Sequence, residues 1–522
     1  MKKVFLCALA LMFGAIGFAQ NTAISFESGT NLDGTINQFG NYNFANQIIT
    51  GNLNISLIDQ IGYLNQAYQT QTGFTNYLDS YQYGMGNTST QNQEGSFNTA
   101  RIKQFSMLTP ANPPNPPYRV GNTATQTQRG HDNQAYINQE PEGNVATQTQ
   151  AGHLNYLSAN QFGSEGDNTS TQDQSGSNNI ATVDQDAPDN TSPYVGNTAM
   201  QRQRGSYNLA TIYQIGETND ATQYQKGSHN VLTAYQDGIG NTSTQNQEGI
   251  DNLATVNQVG NGNTATQTQS GGAGLTLIEN NRAFINQSGN GNTATQTQSG
   301  TGFLSFTNNT ANIDQSGNDN TATQWQNGDG AVVLYNNVAN IDQSGNGNTG
   351  TQIQGGDATF TISGNHAYIN QSGNGNTATQ AQGGDTFWDW FDALNNLAVS
   401  NQSGNDNTSL QGQIGSDNEL QINQVASGGT AIQLQAGNDN FASIDQLGGT
   451  GNYGYQMQWF GSFDQEAYLT QDGINNYSVQ NQFGNTNLST VIQTNNNNIN
   501  FNLADSYQFG SGNVATITQT GN

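Results

Sequence analysis

Residues 252–269 read NLATVNQVGNGNTATQTQ, and this stretch decides the fold. Its first half alternates, so that Asn252, Ala254, Val256 and Gln258 share one face while Leu253 belongs to the other. A period of two residues is typical of a β-strand, because successive side chains point to opposite faces. The linking VGNG contains the glycines and asparagine that tight reversals with positive φ require. The stretch therefore predicts two seven-residue strands joined by a short turn.

The same pattern recurs at a fixed interval along the chain. The asparagines that open each strand are 11 residues apart through the middle of the sequence, which makes the repeating unit a pair of strands of about 22 residues. These asparagines are Asn197, Asn208, Asn219, Asn230, Asn241, Asn252 and Asn263. Connections this short allow each rung only to step to the next, about 4.8 Å along an axis. The predicted fold is all-β, a β-solenoid of stacked strand-turn-strand rungs.

The composition requires an unusual interior. Hydrophobic residues make up 32% and charged residues 9% of the 522 residues, against roughly 45–50% and 25% in ordinary domains. Such a chain is either disordered or has a polar interior that is fully hydrogen-bonded. A disordered tract needs no fixed phase, so the regular spacing favours a polar interior. In an in-register stack, each side-chain amide can bond to its copies above and below.

We therefore predict interior amide ladders and glycine turns that carry both the stacking and the assembly of the chain. The predicted ladder residues are Asn252, Gln258, Asn263, Gln269, Gln287, Asn292, Gln298, Gln315, Asn320, Gln343, Asn348, Gln371 and Asn376. The predicted turn residues are Gly260, Gly262, Gly289, Gly291, Gly345, Gly347, Gly373 and Gly375.

The beginning of the chain has the features of a secretory signal peptide. Lys2 and Lys3 precede an apolar run that ends in the small residues around Ala19, and the run is too short to span a membrane comfortably. Secretion with cleavage near Ala19 is expected. Cleavage would also remove Cys7, the only cysteine, and leave a chain without disulfides or thiolate sites.

The repeats divide the remaining sequence into segments. We expect a signal peptide at 1–19, an N-terminal segment at 20–33, repeats with short turns at 34–272, repeats with inserted turns at 273–400, and C-terminal repeats at 401–522.

The inserted turns have their own rhythm. From Asn292 to Asn376 the opening asparagines are 28 residues apart, and the extra residues always follow the hydrophilic strand. Insertions at equivalent points of successive rungs should stack on one edge, either as a short third strand or as a row of loops.

Two longer interruptions are separate cases. The proline-rich 110–117 must loop outward, because proline cannot donate to a ladder. The aromatic FWDWF at 387–391 is either a contact site or a cluster packed against the solenoid side.

The repeat resembles that of a known family. The pattern Gln258-x-Gly260-x-Gly262-Asn263-x-Ala265-x-x-x-Gln269 is similar to the core of the curlin repeat, and it recurs from Gln371 to Gln382. The resemblance implies a curli-type subunit of an extracellular functional amyloid, which serves biofilm formation and adhesion. It implies as partners further copies of the chain, a nucleating minor subunit, an outer-membrane secretion pore, and host or abiotic surfaces.

The charge of the chain limits its other partners. Asp and Glu number 37 against 10 Lys and Arg, a net charge of −27. Nucleic acid is excluded as a natural partner, because binding to phosphates depends on Lys and Arg. Strong self-repulsion also suits a chain that stays dispersed before it assembles.

No enzymatic chemistry is predicted, and no catalytic residue, cofactor or metal site is assigned. The four histidines, His131, His153, His229 and His366, lack the spacing of metal ligands or of a nucleophile's base. Asp319 and Asp406 lie in Gly/Asn-rich turns, where turn formation explains them better than calcium binding.

Two other functions remain alternatives to a fibre. Rows of outward threonines could order water at an ice surface, although Thr also favours exposed strand positions generally and Met200 and Leu410 interrupt the row. These threonines are Thr264, Thr266, Thr268, Thr293, Thr295 and Thr297. The second alternative is a non-fibrous surface adhesin that uses the inserted loops as contact sites.

Overall fold

The structure is a computed structural model, and it describes most of the chain. The described residues are 20–106, 121–163, 167–187, 196–271, 277–301, 305–329, 333–356, 361–383, 393–495 and 502–521. The expected signal peptide at 1–19, the proline-rich 110–117 and the aromatic 387–391 lie outside these residues.

The described residues form a β-solenoid, which confirms the predicted fold. Across those ranges the chain contains strands and turns without a helix, and every pairing between strands is parallel, as at Leu253–Asn261 with Arg282–Asn290. The strands form two sheets, here called the first and the second sheet, and each rung contributes one long strand to each. Corresponding motif positions lie above one another, so that Val256 pairs with Ile285 and Gln258 with Gln287.

The first sheet contains the hydrophilic strands. Its long strands are Thr22–Thr30, Phe44–Asn52, Gln66–Phe74, Thr88–Ser96, Thr123–His131, Val145–His153, Thr169–Ser177, Thr198–Ser206, Asp220–Ser228, Thr242–Ile250, Thr264–Gly271, Thr293–Thr301, Thr321–Asp329, Thr349–Gly356, Thr377–Gln382, Thr408–Ser416, Thr430–Asn438, Tyr453–Phe463, Tyr477–Phe483 and Leu503–Phe509.

The second sheet contains the more apolar strands. They are Asp33–Asn41, Ile55–Tyr63, Tyr77–Met85, Thr99–Phe105, Gln134–Gln139, Tyr156–Gly163, Ile180–Ala187, Leu209–Glu217, Val231–Ile239, Leu253–Asn261, Arg282–Asn290, Thr310–Asn318, Val338–Asn346, His366–Gln371, Leu397–Gln402, Glu419–Gln424, Phe441–Gln446, Glu466–Gly473, Leu488–Asn495 and Val514–Gly521.

The solenoid includes the segment that the sequence placed before the repeats. Thr22–Thr30 pairs in register with Phe44–Asn52, with Ala23 on Ala45 and Gly29 on Gly51. The first rung therefore begins within residues 20–33.

The strands are longer and the turns shorter than the sequence predicted. Leu253–Asn261 has nine residues rather than seven, and only Gly262 and Asn263 separate it from the next strand. The reason is that Val259 and Gly260 continue to pair with the neighbouring rung instead of leaving the sheet.

The apolar core is a narrow row between the sheets. The second sheet contributes Val256, Ile285 and Ile313, and the first sheet contributes Ala265 and Ala294. Alanine opposite a branched residue suits a thin gap that also holds glutamine side chains. The outward residues Leu253, Thr255 and Asn257 are only partly buried, as the alternation predicted.

The inserted turns return to the sheet as short third strands, one of the two arrangements left open by the sequence. Each short strand pairs with the next, and together they are Leu277–Glu279, Ser305–Thr307, Val333–Tyr335, Thr361–Ser363 and Ala393–Leu394. The row continues the end of the regular strands, because Glu279 pairs with Ile250 and Leu394 with Ser416. Its inward residues, Phe306 among them, form a second buried apolar cluster.

Candidate functional site: the stacked amides and the two ends

The asparagines that open the strands form buried columns along the solenoid. Asn263 donates through its backbone N and its Nδ2 to Oδ1 of Asn241, one rung earlier, at 3.0 and 3.1 Å. Its Nδ2 also donates to the backbone O of Gly289 at 2.8 Å. Asn263 therefore joins the turn of one rung to the glycine of the neighbouring rung. In the inserted rungs, Asn252 and Asn281 donate instead to the third-strand carbonyls of Ile278 and Phe306.

The glutamines near the strand ends form further columns. Gln258 donates through Nε2 to Oε1 of Gln287 at 2.8 Å and to the backbone O of Thr242, in the opposite sheet, at 3.0 Å. Gln269 donates in the same way to Gln298 at 2.7 Å. A glutamine column thus connects successive rungs and also ties the two sheets together.

A third glutamine column was not singled out from the sequence. Gln267 donates to Oε1 of Gln296 at 2.9 Å and to the backbone O of Thr255 in the second sheet at 3.0 Å. The signal was present, because Gln267 shares the inward face with Asn263 and Ala265. The repeat motif from Gln258 to Gln269 does not include Gln267 as a fixed position.

The asparagine and glutamine columns have opposite polarity. Asn263 donates toward the N-terminal end of the solenoid, to Asn241, whereas Gln267 donates toward the C-terminal end, to Gln296. The same directions hold across the inserted rungs, as Asn320 to Asn292 shows. The two ends of the solenoid therefore present different hydrogen-bonding groups.

The structure places all thirteen predicted ladder residues in the interior, each with at most 1% of its surface exposed. It brings them together in four columns. The first contains Asn252; the second contains Asn263, Asn292, Asn320, Asn348 and Asn376; the glutamines of the second sheet, Gln258, Gln287, Gln315, Gln343 and Gln371, form the third. Gln269 and Gln298 belong to a separate column of the first sheet.

The predicted turn glycines serve two different purposes. Gly262, Gly291, Gly347 and Gly375 occupy the left-handed turn itself, with φ of 64°, 66°, 65° and 65°. The other predicted glycines are Gly260, Gly289, Gly345 and Gly373, and they lie at the close approach of successive rungs.

Gly260 shows why the second group excludes a side chain. Its φ is 116°, and a Cβ would lie 2.0 Å from the backbone O of Gly289. Gly260 lies inside the strand Leu253–Asn261, whereas the sequence placed it in a turn. At Gly373, φ is outside the left-handed region, and the constraint is purely steric because a Cβ would lie 1.8 Å from O of Gly404.

The aspartates considered for calcium occupy the same turn positions as glycine. Asp319 and Asp406 both have φ of 55°, a conformation that Asp tolerates better than most residues. Among the described residues, no group of three or more His, Cys, Asp or Glu is arranged to hold a metal ion. Of the histidines, His153 contacts Asp132 at 3.4 Å, and His229 stacks on Tyr207.

One pair of stacked carboxylates interrupts an outward row of amides. Asp342 lies one rung from Asp314, and the next residues in the row are Asn286 and Asn370. Desolvation, followed by repulsion from the Asp314 carboxylate, raises the pKa of Asp342. The pair is a local electrostatic cost between the neutral side chains of Asn286 and Asn370.

The ends of the described solenoid are open strand edges. Within the described ranges, Thr22–Thr30 pairs only with Phe44–Asn52, and Val514–Gly521 pairs only with Leu488–Asn495. The side chains of the end rungs are correspondingly exposed, as the 68% exposure of Phe509 shows. These ends are the candidate functional site.

In the part of the chain that the structure describes, no helix is long and apolar enough to span a membrane. A scan against protein-family models and a search of curated proteins each found no match to this chain.

Proposed function

We propose that the chain is a secreted structural protein that assembles end to end into amyloid-type fibres of the cell surface or biofilm matrix, where it mediates adhesion. The observation that carries the proposal is the pair of open ends, Thr22–Thr30 with its neighbour Asp33–Asn41, and Leu503–Phe509 with Val514–Gly521. The function is one of assembly, with no substrate or cofactor.

An open edge supports polymerisation for a physical reason. Unpaired backbone N–H and C=O groups on an edge strand form a template on which another strand can add. The interior of this protein is itself a stack of identical hydrogen bonds, so a second copy can continue it without a new kind of contact. The resemblance to curlin repeats supports the same reading, as does the net charge of −27, which opposes sideways clumping.

Electron microscopy and fibre diffraction test the proposal directly. The protein is expressed with its own leader, the mass of the exported form is measured, and the purified form is incubated at rising concentration. We expect unbranched filaments with a meridional reflection near 4.8 Å and an N-terminus near Gln20. Isolated rods at every concentration would contradict the fibre and favour a non-fibrous adhesin.

A second candidate, ice binding, is supported by a separate surface. Six successive rungs carry Thr at both the first and the third position of the first-sheet strand, with side chains on the outward face. The residues are Thr242, Thr244, Thr264, Thr266, Thr293, Thr295, Thr321, Thr323, Thr349, Thr351, Thr377 and Thr379. The rows form a lattice of roughly 6.6 by 4.8 Å, on which hydroxyl and methyl groups repeat regularly.

Ice recrystallisation and thermal hysteresis measurements separate this candidate from the fibre. If the threonine face binds ice, the purified protein slows crystal growth, and Thr295→Lys in the middle of the face reduces that effect. Asn257→Lys, which changes the outward face of the second sheet, is the matched control. An effect that is absent, or that both variants reduce equally, counts against ice binding.

A further inference from the structure

The two end rungs share a feature that the rungs between them lack. At the fourth position of the first-sheet strand, the first rung has Ser25 and the last has Ser506, whereas the strands between them carry glutamine there. The column of interior glutamines is therefore closed by a serine at each end.

The glutamines next to these serines show the consequence. Gln480 donates to Oγ of Ser489 at 2.9 Å, in place of a further glutamine in its own column. At the other end, the buried Oε1 of Gln47 has no hydrogen-bond partner among the described residues. It faces the rung of Ser25, where the next donor of the column would come from.

We propose that the C-terminal rung of one copy docks on the N-terminal rung of a second copy in unshifted parallel register, so that Ser506 stacks on Ser25. This inference rests on the proposed function and specifies its junction. Leu503–Phe509 continues onto Thr22–Thr30, and Val514–Gly521 continues onto Asp33–Asn41. Two adjacent serines leave polar space between the sheets, where water can donate to Gln47.

Most inward columns are matched across this junction, and the exception is the asparagine column of the second sheet, where Asn513 meets Leu32. Gln519 meets Gln38, which continues the glutamine column of the second sheet, and Ile517 meets Ile36, each only partly buried at its own end. Gln508 meets Glu27, so that an amide donor faces a carboxylate, a stronger pairing than amide with amide. Outside the core, Tyr507 meets Phe26, two exposed aromatic rings in one row.

The polarity of the glutamine columns favours this orientation over the other two. In the glutamine columns, Nε2 groups donate toward the C-terminal end, so that end offers donors and the N-terminal end offers the acceptors of Gln38 and Glu27. The asparagine columns have the reverse polarity. Within the glutamine columns, two N-terminal ends would place acceptors against acceptors and Glu27 near its own copy. Two C-terminal ends would place donors against donors. The filament is therefore polar, with all copies pointing in one direction.

Disulfide formation between copies tests both register and direction. Ile24 and Asp505 are exposed and would be neighbours across the junction, at a distance of about 4.8 Å that a disulfide can span. Cys7 is replaced by Ala in every variant. We expect mixed Ile24→Cys and Asp505→Cys chains to form a disulfide-linked dimer under mild oxidation, and either variant alone to form none.

The control shifts the thiol by two positions. Tyr507→Cys is equally outward and exposed, but lies roughly 6.6 Å further along the strand, so its yield with Ile24→Cys should be at least tenfold lower. Preferential linkage to residue 507, or linkage between like ends, overturns the junction while filaments still support the proposed function. Absence of filaments from the unmodified chain overturns both.

A charge substitution tests the pairing of Gln508 with Glu27 independently of thiols. Gln508→Glu places two carboxylates together and should slow filament elongation at least tenfold. The same change also removes the hydrogen bonds that Gln508 donates to the backbone O atoms of Leu488 and Asn513. The control is therefore the double variant Gln508→Glu with Glu27→Gln, in which one amide again faces one carboxylate across the junction. Recovery of elongation supports the junction, and equal loss in both variants contradicts it.

Discussion

Gln258 donates a hydrogen bond of 2.8 Å to Gln287, 29 positions later, whereas Gln236 donates one of 2.9 Å to Gln258 over only 22 positions. The insertion between Gln258 and Gln287 does not change the rise from one rung to the next along the solenoid axis. The amide columns and the backbone pairing set the rise of each rung, and extra chain is accommodated outside the stack.

Removing one interior amide should destabilise the solenoid locally. Gln296→Leu leaves Nε2 of Gln267 and Oε1 of Gln324 without their ladder partners, which lie 2.9 Å from Gln296 in each case. Each unpaired buried group costs about 1–3 kcal/mol. We expect a fall of about 2–6 kcal/mol in the free energy of unfolding, measured by urea denaturation. Thr295→Leu, on the outward face, is the control and should change it little.

Glycines of the two kinds should respond differently to alanine. Gly260→Ala introduces a Cβ 2.0 Å from O of Gly289, so the rungs must separate. Gly262→Ala meets no atom within 4 Å, and its φ of 64° costs about 1–2 kcal/mol. Thermal unfolding followed by circular dichroism should show a much larger loss for Gly260→Ala. Equal losses would mean that conformation, rather than close packing, governs both positions.

The third strands should stabilise the inserted rungs through their buried apolar row. Phe306 is 2% exposed and packs with Ile278 and Leu334. Phe306→Ala should lower the free energy of unfolding by about 3–5 kcal/mol. Phe284→Ala removes the same side chain from a half-buried outward position and should cost less than half as much. Equal stability of the two variants would mean that the apolar row of the third strands does not act as a hydrophobic core.

The stacked aspartates should make stability depend on pH. Because the folded protein raises the pKa of Asp342, this residue favours folding most below the unfolded pKa of about 3.9, and that advantage is lost as pH rises through the folded value. Asp342→Asn should therefore raise the melting temperature at pH 7 and have little effect at pH 3.

The control for this prediction is Asp319→Asn, the same change of charge at a turn position between Gly291 and Gly347. It should not reproduce the gain at pH 7. A gain that is equal in both variants would point to the net charge of the chain rather than to the carboxylate pair.

Much of the amide interior was predictable because its cause is local. The alternation in 252–258 separates inward Asn252 and Gln258 from outward Leu253, and a period fixed in phase requires stacking in register. The third glutamine column was also within reach of this reasoning, since Gln267 obeys the same alternation. The insertion remained ambiguous, because a third strand and a loop have the same effect on spacing.

By itself, the sequence determined the rung, its period and which side chains face inward, because alternation and short turns leave a parallel chain few other ways to satisfy its backbone. Only the tertiary structure decided which way each amide column donates, which carbonyls of the opposite sheet receive the second hydrogen bond, and that Ser25 and Ser506 close one column at opposite ends. These features depend on contacts between residues 22 or more positions apart, or at opposite ends of the chain, and no local pattern encodes their direction.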